Sequence, residues 1–340
     1  MLLEKLTAAS GVSGNEREVR KLIIKELEGF VDDIKVDRMG NLMVTKSCKD
    51  SQHHIALVAH MDEVGLIVKG IDNNGLIKFA PIGGLDARIL ISKVVYIGDN
   101  KIPGVIGAKA IHLQKPDERK KALSVKDLYI DIGCSNQSEA EKLVSPGDYI
   151  TFNSQFVTFG KNRIKAKALD DRAGCGVLIE LLKRDLPINV TGVFTVQEEV
   201  GLRGAIVAAN QLNVDLAIIV EGTTCSDVTD IELHMQVTAL DKGTAVSVMD
   251  RTSVYNRKWI DAIIETAKEN DLPWQFRRSS FGGNDAGMFH LSQEGTQCLS
   301  LAVPCRYIHS PVSVLSLDDY NNTIKLIEKF LVKLSKGGLL

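Results

Sequence analysis

No run of apolar residues in this 340-residue chain approaches the roughly 20 that a helix needs to cross a bilayer, so a membrane-spanning reading is dropped. A surplus of one charge is also missing. The 41 Lys and Arg stand against 43 Asp and Glu, a formal net charge of -2, which provides no basic field for holding a phosphate backbone and sets nucleic acid aside as a partner. Six cysteines (Cys48, Cys134, Cys175, Cys225, Cys298 and Cys305) are scattered without a CxxC pair. That usage points to reduced thiols in a cytoplasmic protein rather than to disulfides or metal ligands. The first residues, MLLEKLTAASGVSGNEREVR, carry Glu4 inside their only apolar run and lack a basic stretch followed by a long apolar one, so no signal peptide is expected. Internal repeats and low-complexity stretches are absent as well. What is present, 44% hydrophobic and 25% charged residues, suits a sizeable buried core and more than one domain.

Hydrophobic periodicity divides the chain. NEREVRKLIIKELE (15–28) places Val19, Leu22, Ile23 and Leu27 on one helical face, DDIKVDRMGNLMVTK alternates and turns at Gly40 and Asn41, and HIALVAHMD is a continuous apolar run ending in polar residues. That run reads as a buried strand. From about Gly65 to Gly160 the texture becomes short β-type runs, GLIVKGI, GLIKFAP, ILISKVVYIG and DYITFNS, separated by turn signals. After Gly160 strands and helices alternate: DDRAGCGVLIELLKR helical, VTGVFTVQEE a strand, RGAIVAANQL a helix, VDLAIIVEG a strand. RKWIDAIIETAKEN is then helical, TQCLSLAVP a buried strand, and LDDYNNTIKLIEKFLVKL a closing helix starting after Ser316. The expected fold class is α/β, with a mixed, largely parallel sheet covered by helices. Residues 1–64 and 161–340 would build it, and 65–160 would be a β-rich insertion at a loop, where additions disturb the core least.

Four polar clusters sit where expected strands end or helices begin: His60 and Asp62 in AHMDEVG, Asp170 and Asp171 in ALDDRAG, Glu198 and Glu199 in TVQEEVG, and Glu221 in IIVEG. Ligands of open α/β sheets bind outside the carboxyl ends of the strands, so these clusters could converge, and His309 in YIHSP follows another buried strand. A pair of hydrolytic metal ions needs His and carboxylate ligands, a carboxylate able to bridge, and an unligated base. The set supplies each part. Adjacent acids such as Glu198 and Glu199 point in different directions, so one can bind metal while the other faces water. Asp62, two residues after His60, could accept the second imidazole N–H and fix the tautomer.

Each residue alone also has a plainer reading. His60 could be a satisfied core histidine, and the DD and EE pairs helix-start or solvated carboxylates. Together, uncompensated carboxylates beside a buried sheet edge repel and lose hydration, a penalty that a shared cation removes. Gly282 and Gly283 before Asn284 and Asp285 allow close backbone approach to a substrate, or serve as a helix amino-terminal cap. His53, His54, His112, His234 and His290 read as surface or packing histidines.

In their order, AHMDEVG, ALDDRAG, TVQEEVGLRGA, GGNDAG and YIHSP resemble the co-catalytic dinuclear metallopeptidases, and within them the glutamyl and deblocking aminopeptidase family, whose members form tetrahedral particles. The resemblance runs end to end. It implies a zinc-peptidase-like fold with a barrel-like insertion serving dimerisation, dimers building a dodecamer, and removal of the amino-terminal residue from peptide substrates. It also implies two divalent ions, zinc first, with cobalt or manganese accepted by the same N and O ligands. His60, Asp170 and Glu221 would hold one ion and Asp170, Glu199 and His309 the other, with Asp170 bridging, Glu198 as general base, and a cis peptide between Asp170 and Asp171. Glu221 departs from the aspartate often found at this place in aminopeptidases of the wider group, and glutamate is commoner in the carboxypeptidase branches. A related carboxypeptidase, dipeptidase or deacylase is therefore the alternative enzyme, and a metal-stabilised scaffold the alternative without catalysis. Some members carry an endoglucanase label, which the residues do not suit: glycosidases use two carboxyls flanking a sugar bond and no metal cluster.

Overall fold

The computed structural model describes residues 1–338; Leu339 and Leu340, counted in the expected catalytic segment, lie outside the described residues. An eleven-stranded sheet forms the larger body. Along its main path the order is Asp33–Val36, Leu42–Lys46, Asn189–Thr195, His54–His60, Leu216–Thr224, Cys298–Arg306, Ser313–Ser316, Arg163–Ala166 and Val157–Phe159. Thr244–Ser247 pairs with Cys298–Arg306 on one side and with Trp274–Arg277 on the other. The four strands 189–195, 54–60, 216–224 and 298–306 run parallel, and the hairpin 33–46 and the strands beyond Arg306 are antiparallel.

The central strands are nearly continuous apolar runs because helices cover them, and burial follows suit: Ile55 to His60 and Val190 to Thr195 are all buried. Leu169–Leu182 packs across the strands ending in His60 and containing Glu221, with Leu317–Ser335 beside it, while Arg203–Ala209 and Ala286–His290 pack on each other. The long closing helix does start after Ser316, but that hydroxyl donates to Asp241 Oδ1 at 2.7 Å instead of capping the first turn. The hairpin turn at Gly40, where φ is +104°, is drawn tight by Asp37 Oδ1, which accepts from the amides of Met39, Gly40 and Asn41.

Six further strands, Gly65–Ile71, Ile77–Ile82, Val94–Ile97, Ile102–Ala108, Leu128–Asp131 and Tyr149–Phe152, close into an antiparallel barrel with its own core of Leu66, Val68, Ile77, Phe79, Ile97, Ile130 and Ile150. Closure removes the free edges that so many short strands would otherwise expose. Two of them left little trace in the hydrophobic pattern. Ile102–Ala108 contains Pro103 and two glycines, which weaken a strand signal, yet Pro103 pairs with Tyr96, and a Cβ at Gly104 or Gly107 would press on Ile130 or the Tyr129 ring. The barrel's last strand ends at Phe152, and Val157–Phe159 already pairs within the large sheet, so the barrel's share of the chain stops short of residue 160. No helix among the described residues is long and apolar enough to cross a membrane.

Phe194, fully buried in the strand that leads to the Glu198–Glu199 loop, is a sensitive test of this core. Phe194→Ala is expected to lower stability by about 3–5 kcal/mol, seen as a lower denaturant midpoint with an unchanged slope.

Candidate metal centre and active site

Each candidate ligand stands at the carboxyl end of a central strand or on the turn that follows. His60 closes its strand opposite Thr195, and the Asn189–Thr195 strand runs on through Val196 and Gln197 into Glu198 and Glu199. The neighbouring register pairs Ile219 with Val58, and continuing it puts Glu221 level with His60. Asp170 opens the helix Leu169–Leu182, where Asp170 and Asp171 keep non-helical backbone angles and the peptide between them is cis, as the resemblance implies. His309 follows Cys298–Arg306 in a turn in which both Tyr307 and His309 have positive φ.

These placements bring the side chains into two groups that share Asp170. In one, His60 Nε2 lies 3.4 Å from Asp170 Oδ1 and 3.7 Å from Glu221 Oε2. In the other, His309 Nε2 lies 3.6 Å from Asp170 Oδ2 and 3.4 Å from Glu199 Oε2. Donor atoms within each trio lie within 4.8 Å of one another. Two donors bound at about 2.0–2.1 Å to one tetrahedral ion stand about 3.3 Å apart, close to these spacings. His60 is sealed in and His309 is 44% exposed, so one group is interior and the other opens to solvent.

The electrostatics call for a cation. Burial first, then neighbouring carboxylates, holds Glu198, Glu199 and Glu221 well above the usual carboxyl range, against the opposing pull of His60. Burial disfavours charge on His60, yet the carboxylates of Asp170 and Asp62 and the charges of Glu198 and Glu221 push its pKa well above the ordinary value. Asp170 Oδ1 and Glu221 Oε1 are buried without a hydrogen-bond partner. Acids that repel one another, two orphaned oxygens and an imidazole among them fit divalent ions, which would satisfy all three at once.

Asp62 ties the two halves of this arrangement together. Its Oδ1 accepts from the Glu198 amide at 2.9 Å, and its Oδ2 accepts from the Glu199 amide at 3.1 Å and from the Ser13 hydroxyl at 2.6 Å. The nearer oxygen to His60 Nδ1 is the Asp62 backbone carbonyl, at 3.1 Å, with the carboxylate at 3.5 Å. His60 Nδ1 thus faces the Asp62 carbonyl more closely than the carboxylate expected to accept from it, and the carboxylate mainly orients the EE loop. Asp171, fully buried, accepts from the amides of His60 and Gly174 and so links the helix start to the His60 strand.

A second set of residues went unremarked in the sequence pattern. Glu63 accepts from Lys167 Nζ at 2.6 and 2.8 Å, from Arg172 Nη2 at 3.2 Å and from the Gly11 amide at 3.0 Å, all buried. Arg172 also donates to the carbonyls of Met61, Leu6 and Ala9. The motifs holding His60–Asp62 and Asp170–Asp171 are thereby locked to each other and to the first helix. The only signal available was two extra charges, Glu63 and Arg172, inside those motifs.

A cavity of about 810 Å³ opens over the two groups, and its walls include Glu198, Gly282, Gly283 and Asn284. Asn284 also stands at the start of the helix Ala286–His290, where its side chain accepts from the Ala286 amide at 2.9 Å. Asp285 does not reach the cavity. It is fully buried and accepts from Thr195 Oγ1 at 2.5 Å, because it is the residue turned inward as the helix begins. Among the described residues, His53, His54, His112, His234 and His290 join neither ligand group.

A model of the M42 glutamyl aminopeptidase family matches residues 40–326. The chain belongs to this family. It is 39% identical over 328 residues to a putative aminopeptidase of Acetivibrio thermocellus, with 96% of each chain covered. Among solved structures, a TET aminopeptidase from the marine-sediment archaeon Thaumarchaeota archaeon SCGC AB-539-E09 superposes with a TM-score of 0.94 at 34% identity, covering 98% of this chain and 95% of that one. The Pyrococcus horikoshii TET1 peptidase, which can assemble into a tetrahedron or a large octahedral shell, superposes at 0.85 and 34% identity over 97% and 98% of the two chains. This M42 chain is accordingly a metal-dependent aminopeptidase with the α/β fold of the TET enzymes.

The position of Asp62 in the M42 chain yields a direct expectation. Asp62→Asn keeps the shape but weakens the acceptor of the Glu198 and Glu199 amides, and should lower metal affinity about 10–100-fold with the fold intact, measured by metal titration calorimetry alongside circular dichroism.

Proposed function

We propose that His60, Asp170 and Glu221 hold one divalent ion, that Asp170, Glu199 and His309 hold a second, and that Glu198 is the general base of amino-terminal peptide hydrolysis. The observation that carries this reading is Asp170, whose Oδ1 faces His60 while its Oδ2 faces His309. Zinc is the expected metal for this mixed N and O set, with cobalt or manganese as substitutes. When bound, such ions acidify water and polarise a carbonyl oxygen. The chain's own residues do the rest. Glu198 lines the cavity on a loop whose amide is anchored by Asp62, outside both ligand trios, and so is free to take a proton from the attacking water and pass it to the departing amine. The substrate's free α-amino group meets the carboxylates at the cavity floor, which restricts cleavage to the first residue.

The cavity wall also favours a side-chain class. Arg251 and Arg277 line it, and neither has a carboxylate partner within salt-bridge distance among the described residues. Asp250 beside them is taken up by Thr252, Ser253 and Tyr255. Arg277 is held by Thr223 Oγ1 and the carbonyls of Ser279 and Phe281, which aims its planar head. An acidic first residue, the class in the family's name, suits this wall. Residues 1–64 with 161–340 then form the catalytic domain, and the barrel within 65–160 serves dimerisation, dimers building a dodecamer; the assemblies of the TET1 relative support this. Six free cysteines support a reducing, cytoplasmic setting.

Glu198→Gln should retain metal and fold while losing turnover by about 10²–10⁴-fold, and full metal removal should abolish hydrolysis reversibly. A Glu198→Gln protein with near wild-type rate would remove the base assignment. Separately, glutamyl and aspartyl p-nitroanilides should be cleaved in preference to leucyl p-nitroanilide. Arg251→Gln should raise KM for the acidic pair about tenfold and leave the neutral substrate unchanged.

A further inference from the structure

His309 has two faces. One meets the main cavity and the other meets a separate cleft of about 550 Å³ between the barrel segment 84–93 and the turn 307–312. The cleft walls are mostly apolar: Ile89, Tyr307, Ile308, Pro311 and Val312, with Gly84 at the end nearest His309. Its one acid, Asp86, is closed off by the Arg88 guanidinium, which donates to both carboxylate oxygens. Gly84 leaves room there; a Cβ at that position would stand 3.2 Å from His309 Nδ1.

We infer that this cleft receives the side chain of the residue that follows the scissile bond and that it prefers that side chain apolar. The inference rests on the reading of His309 as part of the reacting centre. An exopeptidase must hold its substrate in two directions from the cleaved bond, the first residue one way and the departing chain the other. Two cavities of opposite character diverge from His309. The main cavity carries the α-amine-binding carboxylates and the two arginines, so the first residue belongs there. The other direction leads past His309 into a cleft whose lining includes Lys93 and the Arg88-paired Asp86 among otherwise mainly apolar walls, and apolar side chains gain most from burial against such walls. The barrel thereby contributes Gly84 and Ile89 to substrate selection.

The test uses the full-length, metal-loaded protein and tripeptides Glu-Xaa-Ala in which Xaa is Leu, Gly or Asp, with release of the first residue quantified by chromatography. Leu should exceed Gly in kcat/KM by about tenfold, and Asp should fall below Gly. Ile89→Asp should bring the Leu-to-Gly ratio near one. Ile89→Ala, which spares the barrel core a buried charge, should reduce the same ratio. Equal rates for Leu and Gly in the unaltered protein, or a ratio that survives both substitutions, would overturn the inference while leaving the aminopeptidase reading standing. No release of the first residue from any tripeptide would remove both.

Discussion

Like charges crowded in a place that water cannot fully reach repel one another and lose hydration, and that penalty governs this molecule. Asp170, Glu198, Glu199 and Glu221 gather around His60 at the ends of parallel strands, and burial pushes the three glutamates toward their protonated forms. Divalent cations held among these acids would oppose that tendency, because a nearby positive charge favours the ionised carboxylate. The surrounding fold has one task, to hold these acids close together.

Two hydrogen-bonded supports perform it. Asp62 connects the His60 strand to the amides of Glu198 and Glu199, so the two segments that carry these candidate donors are tied to each other. Behind it, Glu63, Lys167 and Arg172 form a buried charged cluster in which every carboxylate oxygen has a donor. Breaking one member of such a cluster leaves a buried charge unpaired, so it stiffens the site more than it adds to net stability. The barrel is a third support. A Cβ at Gly83 would press on Val64 and reach Glu199, and one at Gly84 would reach His309, so the inserted domain abuts the more exposed of the two candidate groups.

Much of this was legible in the linear chain, for a physical reason. Parallel strands covered on both faces must be apolar throughout, so HIALVAH, AIIV and CLSLAV announce themselves, and polar residues that interrupt them at their carboxyl ends stand out. The short barrel strands were less legible because Pro103, Gly104 and Gly107 hide the alternation of Ile102–Ala108. Asp285 was misplaced because a local GGND pattern does not reveal which of two adjacent polar residues turns inward; its partner Thr195 is ninety residues away in the chain. The Glu63–Lys167–Arg172 cluster was invisible for the same reason, as its contacts span more than a hundred residues.

By itself the sequence determined the candidate donors, their order and the family to which the chain belongs, because polar residues at strand ends are properties of local composition. Only the tertiary structure decided how those donors divide: Asp170 turns one oxygen to His60 and the other to His309, Asp62 gives its carboxylate to two backbone amides, and His309 separates an arginine-lined cavity from an apolar cleft. Such distinctions depend on where side chains point after distant strands have been set in register, and register is fixed by packing across the whole sheet.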